Sequence, residues 1–182
     1  MKKMLLHVGC GPTSIKDFPD QWPEDQYTEV RLDIDANCNP DIQLSMTALD
    51  TMPEAQFDVV WSSHNLEHLW PHEVKAALAG FLHVLKPGGY AFISVPDIKQ
   101  VCKFVLEKGL IDVAYESPSC PITPLDMLYG LTGVLHVNPF MAHKTGFTKE
   151  HMTGYLNYIG FEKIVVYEDD KFGLHAAAYK PE

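Results

Sequence analysis

Apolar and polar positions follow strand-length and helix-length patterns along most of the chain. Five short apolar or alternating runs predict strands, and each ends at Gly, Pro, Asp, Ser or a similar breaking residue. These runs are residues 4–8, 28–34, 41–44, 57–62 and 90–95. Residues 72–86 show the helical period instead, with apolar residues on one face and Pro87 after the last turn.

The segment between the first two strands is unusual, because an α/β fold normally places a long helix there. Pro12, Pro19 and Pro23 fall within residues 12–26. Proline in a helix interior costs about 3 kcal/mol. The sequence therefore predicts a short or broken helix in this segment.

Residues 97–147 interrupt the alternation and are predicted to form an insertion. The segment contains a predicted helix over 97–108, a loop over 117–124 and a short helix near 124–131. Such irregular segments commonly carry the function that distinguishes one protein from others with the same fold.

The last part of the chain predicts a helix and two strands. Thr148 begins the helix as its N-cap, Phe147 and Met152 stand at the hydrophobic-staple positions, and Gly160 follows the last turn. The strands 163–168 and 173–179 are joined by a turn too short for a crossover, so they pair antiparallel.

This order of elements predicts an α/β fold over the single domain 1–182. The expected architecture is a doubly wound, mostly parallel, seven-stranded sheet with a terminal antiparallel hairpin and an insertion, 97–147, after the fifth strand. Ligands in such sheets bind beyond the carboxyl ends of the strands. Four segments meet at that edge: Gly9–Gly11, Asp33–Asp35, Met46–Ala48 and Ser62–His64.

Composition narrows the partners and the compartment. The net charge of −10 argues against nucleic acid and against an anionic membrane surface. The four cysteines show no paired spacing, which is typical of free thiols in a reducing cytosol. No signal peptide and no apolar run of about 20 residues is recognised. We therefore expect a cytoplasmic protein.

A glycine turn and a later acid are the first candidates for ligand binding. Gly9-Cys10-Gly11 follows the first strand, and Asp33 ends the second, 22 residues after Gly11. A carboxylate can accept both hydroxyls of a ribose, although Asp33 could also only cap its strand. Ser14 stands where a dinucleotide-binding turn has glycine, which disfavours NAD and FAD.

These segments resemble the class I S-adenosylmethionine-dependent methyltransferases of the small "methyltransferase type 11" kind. Residues 7–12 resemble motif I of the family, and residues 32–34 resemble its second acidic motif. Residues 57–69 resemble the fourth strand with its hLEHl tail, and residues 85–89 resemble the turn before the fifth strand. The resemblance covers residues 4–96. Residues 139–166 also resemble one branch of the family, but more weakly. Thr13, Ser14 and Ser45 depart from its usual glycine and aspartate positions.

The resemblance implies S-adenosyl-L-methionine as cofactor and methyl transfer as the activity. It places the cofactor against the following residues: His7, Gly9, Cys10, Gly11, Asp33, Ile34, Met46, Thr47, Ser62, Ser63 and His64. Because Ser45 replaces the usual aspartate, the adenine is expected to be read by backbone around Met46 and Thr47 or by a serine hydroxyl.

His64 is the first catalytic candidate, because the transferred methyl group is expected to emerge beside it. It could act as a general base or only shape the pocket. His143 in the insertion is the second candidate. His64, His68 and His72 are spaced by four, but Pro71 interrupts a helix there, so no metal is expected.

We therefore expect an enzyme that moves a methyl group to oxygen or nitrogen of a small-molecule acceptor. A module that binds S-adenosylmethionine or S-adenosylhomocysteine without turnover is the alternative, because the first helix is broken and the N-terminal lid helix is missing. A nicotinamide oxidoreductase is disfavoured by Ser14 and the three prolines. The acceptor and the oligomeric state do not follow from the sequence.

Overall fold

A seven-stranded sheet forms the centre of the computed structural model, which describes residues 2–117 and 119–182. Its strands are β1 (Lys3–Val8), β2 (Tyr27–Asp33), β3 (Ile42–Gln43), β4 (Phe57–Ser63), β5 (Leu85–Pro96), β8 (Glu162–Glu168) and β9 (Gly173–Tyr179). Their order is β3-β2-β1-β4-β5-β9-β8, and β9 runs antiparallel to both of its neighbours. The predicted doubly wound fold with a terminal antiparallel hairpin is confirmed.

Four α-helices and a small second sheet complete the described chain. The helices are α1 (Val74–Val84), α2 (Ile98–Glu107), α3 (Pro124–Tyr129) and α4 (Lys149–Ile159). In the insertion, β6 (Tyr115–Glu116) pairs antiparallel with β7 (Pro121–Ile122). The predicted loop 117–124 therefore contains a strand and the first residue of α3, while its position 118 lies outside the described residues.

One side of the sheet carries the main core, where α1 and α4 pack. The N-cap of α4 is Thr148, whose hydroxyl accepts the His151 N–H, as the sequence predicts. Phe147 and Met152 at the staple positions are both fully buried. Gly160 ends the helix at φ +102°, a conformation that favours glycine.

The other side of the sheet is covered by the proline-containing segment 12–26. This segment has one turn of 3₁₀ helix, Ile15–Asp17, as the prolines predict. Its Ile15 and Trp22 are buried in a second apolar cluster with Leu5, Val59 and Trp61 of β1 and β4. The connection between β1 and β2 therefore lacks the long first helix that usually follows β1.

The boundary between α1 and β5 differs from the prediction. The helix ends at Val84 and Leu85 is already extended, with ψ 140°. Lys86 precedes Pro87, and a residue before proline disfavours the α conformation. Leu85 instead pairs with Phe57 across a register shift, so β5 begins five residues before the predicted strand, at 85 rather than 90.

Two further findings concern the cysteines and the helix lengths. The structure describes Cys10, Cys38, Cys102 and Cys120 as free thiols. In residues 2–117 and 119–182, every helix is too short or too polar to cross a bilayer.

Candidate active site

The first glycine of the turn after β1 makes room for a side chain. Gly9 has φ +66°, and a Cβ there would collide with the Asn65 side chain. The Asn65 amide donates to the carbonyls of Val8 and Ser63, at 2.9 Å each. These bonds tie the carboxyl end of β1 to that of β4, so Gly9 serves this packing as well as the turn.

The second glycine faces open space. Gly11 has φ +52°, and a Cβ added to it would meet nothing within 4 Å. Its N–H donates to Asp33 Oδ2 at 2.8 Å, and its carbonyl accepts from the Arg31 guanidinium at 2.6 Å. The backbone here is therefore held in place while its outer side stays accessible, which suits close approach of a ligand.

Asp33 keeps the capacity to accept two hydroxyls. Its Oδ1 accepts the N–H of Asp35 at 2.9 Å, while Oδ2 accepts the Gly11 N–H at 2.8 Å. Each carboxylate oxygen has about two acceptor positions. One position on each oxygen is still available, so the geometry fits a ribose diol at the end of β2. Ile34 beside it is 47% exposed and offers an apolar contact.

Met46 and Thr47 lie at the start of a 3₁₀ helix, Met46–Thr51. Ser45 is its N-cap and accepts the Thr47 N–H, and the two hydroxyls lie 2.8 Å apart. Both serine and threonine side chains are thus engaged locally. A ligand base at this edge would therefore meet backbone groups, because Met46 packs against the main core.

Three of the predicted cofactor-binding residues turn their side chains into the protein. His7, Cys10 and Ser62 are each no more than 2% exposed. The His7 ring stacks on Trp61 at 3.9 Å, and its Nδ1 lies 2.8 Å from a Glu29 carboxylate oxygen. Burial raises the Cys10 pKa to about 11, against the opposing charge of Arg31. Contacts to a cofactor from these positions would use backbone atoms.

His64 follows β4 and points away from the strand. Its φ is +55°, which is uncommon for a residue with a Cβ, and its N–H donates to Ser94 O at 2.8 Å. Its Nδ1 lies 3.3 Å from Glu67 Oε1. Desolvation alone would lower the His64 pKa, but the Glu67 carboxylate outweighs it and raises the pKa above its ordinary value.

Glu67, His68 and His143 form a cluster beside His64. One potential ligand atom from each of the three residues lies within 4.8 Å of the others. Burial lowers the His143 pKa, with Glu67 opposing. The sequence indicates Glu67 only as part of the hLEHl motif and does not predict that it lies in the site. The motif is the available signal, but the packing of His143 against Glu67 cannot be predicted from it.

His72 lies apart from this cluster. Residues 66–68 form a single 3₁₀ turn, α1 begins only at Val74, and His72 between them is exposed. A helical face of His64, His68 and His72 therefore does not form.

The cluster lines a cavity at the carboxyl ends of β4 and β5. The cavity volume is about 190 Å³. The insertion supplies much of its wall, together with residues 171 and 172 of the terminal hairpin. Its lining includes His64, Glu67, His68, His143, Asp126, Met127 and Phe172. The structure thus brings His64 and His143, the two predicted catalytic residues, to one cavity.

Comparison with known proteins shows a methyltransferase domain in the sequence and a matching fold in solved structures. Residues 6–93 match the sequence model of a family described as "Methyltransferase domain". No curated protein matches the chain. A S-adenosylmethionine-dependent methyltransferase from Archaeoglobus fulgidus has 14% identity and a TM-score of 0.63, over 98% of this chain and 86% of that one. One from Methanosarcina mazei has 17% identity and a TM-score of 0.60, over 99% and 93%.

A third solved structure contains a bound ligand. The Burkholderia thailandensis 1,6-didemethyltoxoflavin-N1-methyltransferase, in complex with S-adenosylhomocysteine, has 16% identity and a TM-score of 0.60, over 100% of this chain and 72% of that one. Residues 6–93 therefore match a methyltransferase domain, and the fold of the chain is that of S-adenosylmethionine-dependent methyltransferases.

Proposed function

We propose that the chain transfers a methyl group from S-adenosylmethionine to an oxygen or nitrogen atom of a small molecule. The observation that carries this proposal is the cavity of about 190 Å³ next to His64. It opens at the carboxyl ends of β4 and β5, beyond the glycine turn and Asp33. A volume of this size suits part of a small molecule better than a folded macromolecule.

The cavity wall supports an acceptor that carries both polar and apolar groups. His64 and His143 present imidazoles, while Met127 and Phe172 present apolar surface. Few polar groups among apolar side chains are typical of small-molecule sites. Because residues 122–143 supply much of this wall, we place acceptor selection in the insertion 97–147, which remains part of one domain, 1–182.

The residues of the chain would do three things in the reaction. S-adenosylmethionine supplies an activated methyl group on its sulfonium. The open backbone at Gly11 and the Asp33 carboxylate hold the donor, and the cavity aligns the acceptor atom. The His64 ring, whose Nδ1 lies 3.3 Å from Glu67 Oε1, would accept the acceptor's proton.

Turnover with a panel of acceptors tests the proposal. The protein is incubated with S-adenosylmethionine and small phenols, alcohols, amines and carboxylic acids, and S-adenosylhomocysteine and methylated product are measured by mass spectrometry. We expect methyl ethers, esters or methylamines. Methylation only at carbon or sulfur would contradict the acceptor assignment.

A non-catalytic binding module is the second candidate. The segment 12–26 forms a single 3₁₀ turn where the long first helix of such a fold usually follows β1. Both candidates bind S-adenosylmethionine, so product formation separates them. Binding of S-adenosylmethionine without S-adenosylhomocysteine formation by any acceptor in the panel would favour the module, whereas product formation excludes it.

A further inference from the structure

Two segments far apart in the sequence meet in the cluster of Glu67, His68 and His143. The backbone carbonyl of Glu67 accepts the N–H groups of Lys144 at 2.8 Å and Thr145 at 3.2 Å. This pairing fixes residues 143–145 alongside the 3₁₀ turn Leu66–His68. As a result, one potential ligand atom from each of the three residues lies within 4.8 Å of the other two.

Among the described residues, the buried Glu67 carboxylate has a nearby ring nitrogen on Oε1 and no partner on Oε2. Glu67 is 1% exposed. Within the described chain, neither of its side-chain oxygens has a hydrogen-bond donor in bonding geometry. His64 Nδ1 lies 3.3 Å from Oε1, which leaves Oε2 without a neighbouring donor. Burying an uncompensated carboxylate raises the free energy of the folded protein, so a bound cation would stabilise this site.

Both histidines are oriented as metal ligands are. His68 Nδ1 lies 3.2 Å from the carbonyl oxygen of Ala142, and His143 Nδ1 lies 2.8 Å from that of Met127. In the tautomer that carries its proton on Nδ1, each ring donates to its carbonyl and presents Nε2 as an acceptor nitrogen. Metal-binding histidines commonly donate their second ring nitrogen to a backbone carbonyl in this way.

We infer that Glu67, His68 and His143 bind a divalent transition-metal ion, with Zn²⁺ as the best fit. Two imidazoles and one carboxylate are an established donor set for zinc, and three protein ligands leave one position open. Ligand atoms around tetrahedral zinc lie about 3.3 Å apart at bonds of about 2.0 Å. Side-chain rotations that close the cluster by up to about 1.5 Å would complete the site.

The open position would face the cavity in which the acceptor is proposed to bind. A metal there would coordinate an acceptor oxygen and make its proton easier to remove. This role rests on the proposed function, whereas metal binding itself rests only on the cluster. The experiment below therefore measures binding without turnover.

Metal titration of the whole protein tests the inference. Tag-free protein is dialysed against a chelator, and Zn²⁺ is titrated in competition with a chromophoric indicator. Co²⁺ is added in a parallel titration, and its visible d–d absorption reports the coordination geometry. We expect one equivalent of each metal, a tetrahedral or five-coordinate Co²⁺ spectrum, and a higher melting temperature with Zn²⁺.

Substitutions locate the binding. Glu67→Gln and His143→Ala should each weaken Zn²⁺ binding by more than about 100-fold, because loss of a ligand exceeds the 10–100-fold cost of losing an outer partner. His72→Ala and His136→Ala are matched controls, since both residues are exposed and lie outside the cluster. They should bind as the unsubstituted protein does.

Three results would overturn the inference. The first is the absence of stoichiometric binding, which would mean that protonated histidines compensate Glu67. The second is equal binding in Glu67→Gln, His143→Ala and the controls, which would mean an adventitious surface site. The third is an octahedral Co²⁺ spectrum that persists in His143→Ala. If Glu67→Gln does not fold, His143→Ala and a His68→Ala variant decide the outcome.

Discussion

The carboxylate of Asp33 accepts the backbone N–H of Gly11 at 2.8 Å, which joins the end of β2 to the turn after β1. The two residues stand at the positions that resemble the acidic and the glycine motifs of a cofactor site, and they contact each other directly. The proposed cofactor site is therefore held together partly by contacts within the chain itself.

Asp33→Asn should weaken S-adenosylmethionine binding by about tenfold or more. The amide keeps one acceptor oxygen but loses the charge, and a hydrogen bond to a charged group contributes about 1.5–3 kcal/mol, where 1.4 kcal/mol is tenfold. Isothermal titration measures the dissociation constant. Asp50→Asn, on the exposed side of the 3₁₀ helix Met46–Thr51, is the control and should bind normally. Equal affinity of both variants would contradict the assignment.

Alanine at Gly9 should mainly lower stability, whereas alanine at Gly11 should mainly prevent cofactor binding. Gly9→Ala collides with Asn65, so it should lower the melting temperature strongly. Gly11→Ala meets no protein atom within 4 Å, and its cost to folding is the strain of a positive φ, about 1–2 kcal/mol. Its Cβ projects into the space proposed for the cofactor, so S-adenosylmethionine binding should be lost.

Melting curves and isothermal titration on both glycine variants check this contrast. A Gly11→Ala protein that folds and binds with unchanged affinity would place the cofactor elsewhere.

His64→Asn should lower kcat on an alcohol acceptor by about 10²–10⁴, the range for loss of a general base. Asparagine keeps hydrogen bonding but cannot accept a proton, so it separates a base from a residue that only shapes the pocket. Steady-state kinetics with saturating donor give kcat, and isothermal titration should show donor affinity unchanged. Near-normal activity of His64→Asn would shift attention to His143.

Asp126 should hold the insertion together in a pH-dependent way. Its carboxylate accepts the N–H and hydroxyl of both Thr123 and Thr132. Burial alone would raise the Asp126 pKa, but these four donors outweigh it and lower the pKa. A lowered pKa means that the contribution to stability is present above the unfolded value of about 3.9 and is lost as pH falls through the folded value.

Asp126→Asn should therefore reduce the free energy of unfolding by about 1.5–3 kcal/mol at pH 7. The difference from the unsubstituted protein should shrink once the pH falls below about 4. Urea unfolding at several pH values measures both effects. Asp112→Asn, exposed in the same segment, should be neutral. A difference that is independent of pH would rule out the carboxylate as its source.

Local patterns in the sequence determined the strands, the capped helix and the broken segment after β1. Phe147 and Thr148 act on the first turn of α4, Gly160 acts on its last, and Pro12, Pro19 and Pro23 restrict their own backbone. Such effects need no tertiary contacts, so they can be read directly. Gly11 and Asp33 were recognisable for the same reason, because they stand at the ends of readable strands.

Only the tertiary structure decided which side chains meet. Three contacts join separate segments of the chain. Asn65 occupies the space over Gly9, His7 is buried against Trp61, and His143 lies close to Glu67. Periodicity tells which face a residue takes on its own element, but not which distant residue packs against it. The cavity and the histidine–glutamate cluster depend on how the insertion packs against the strand ends, which only the tertiary structure shows.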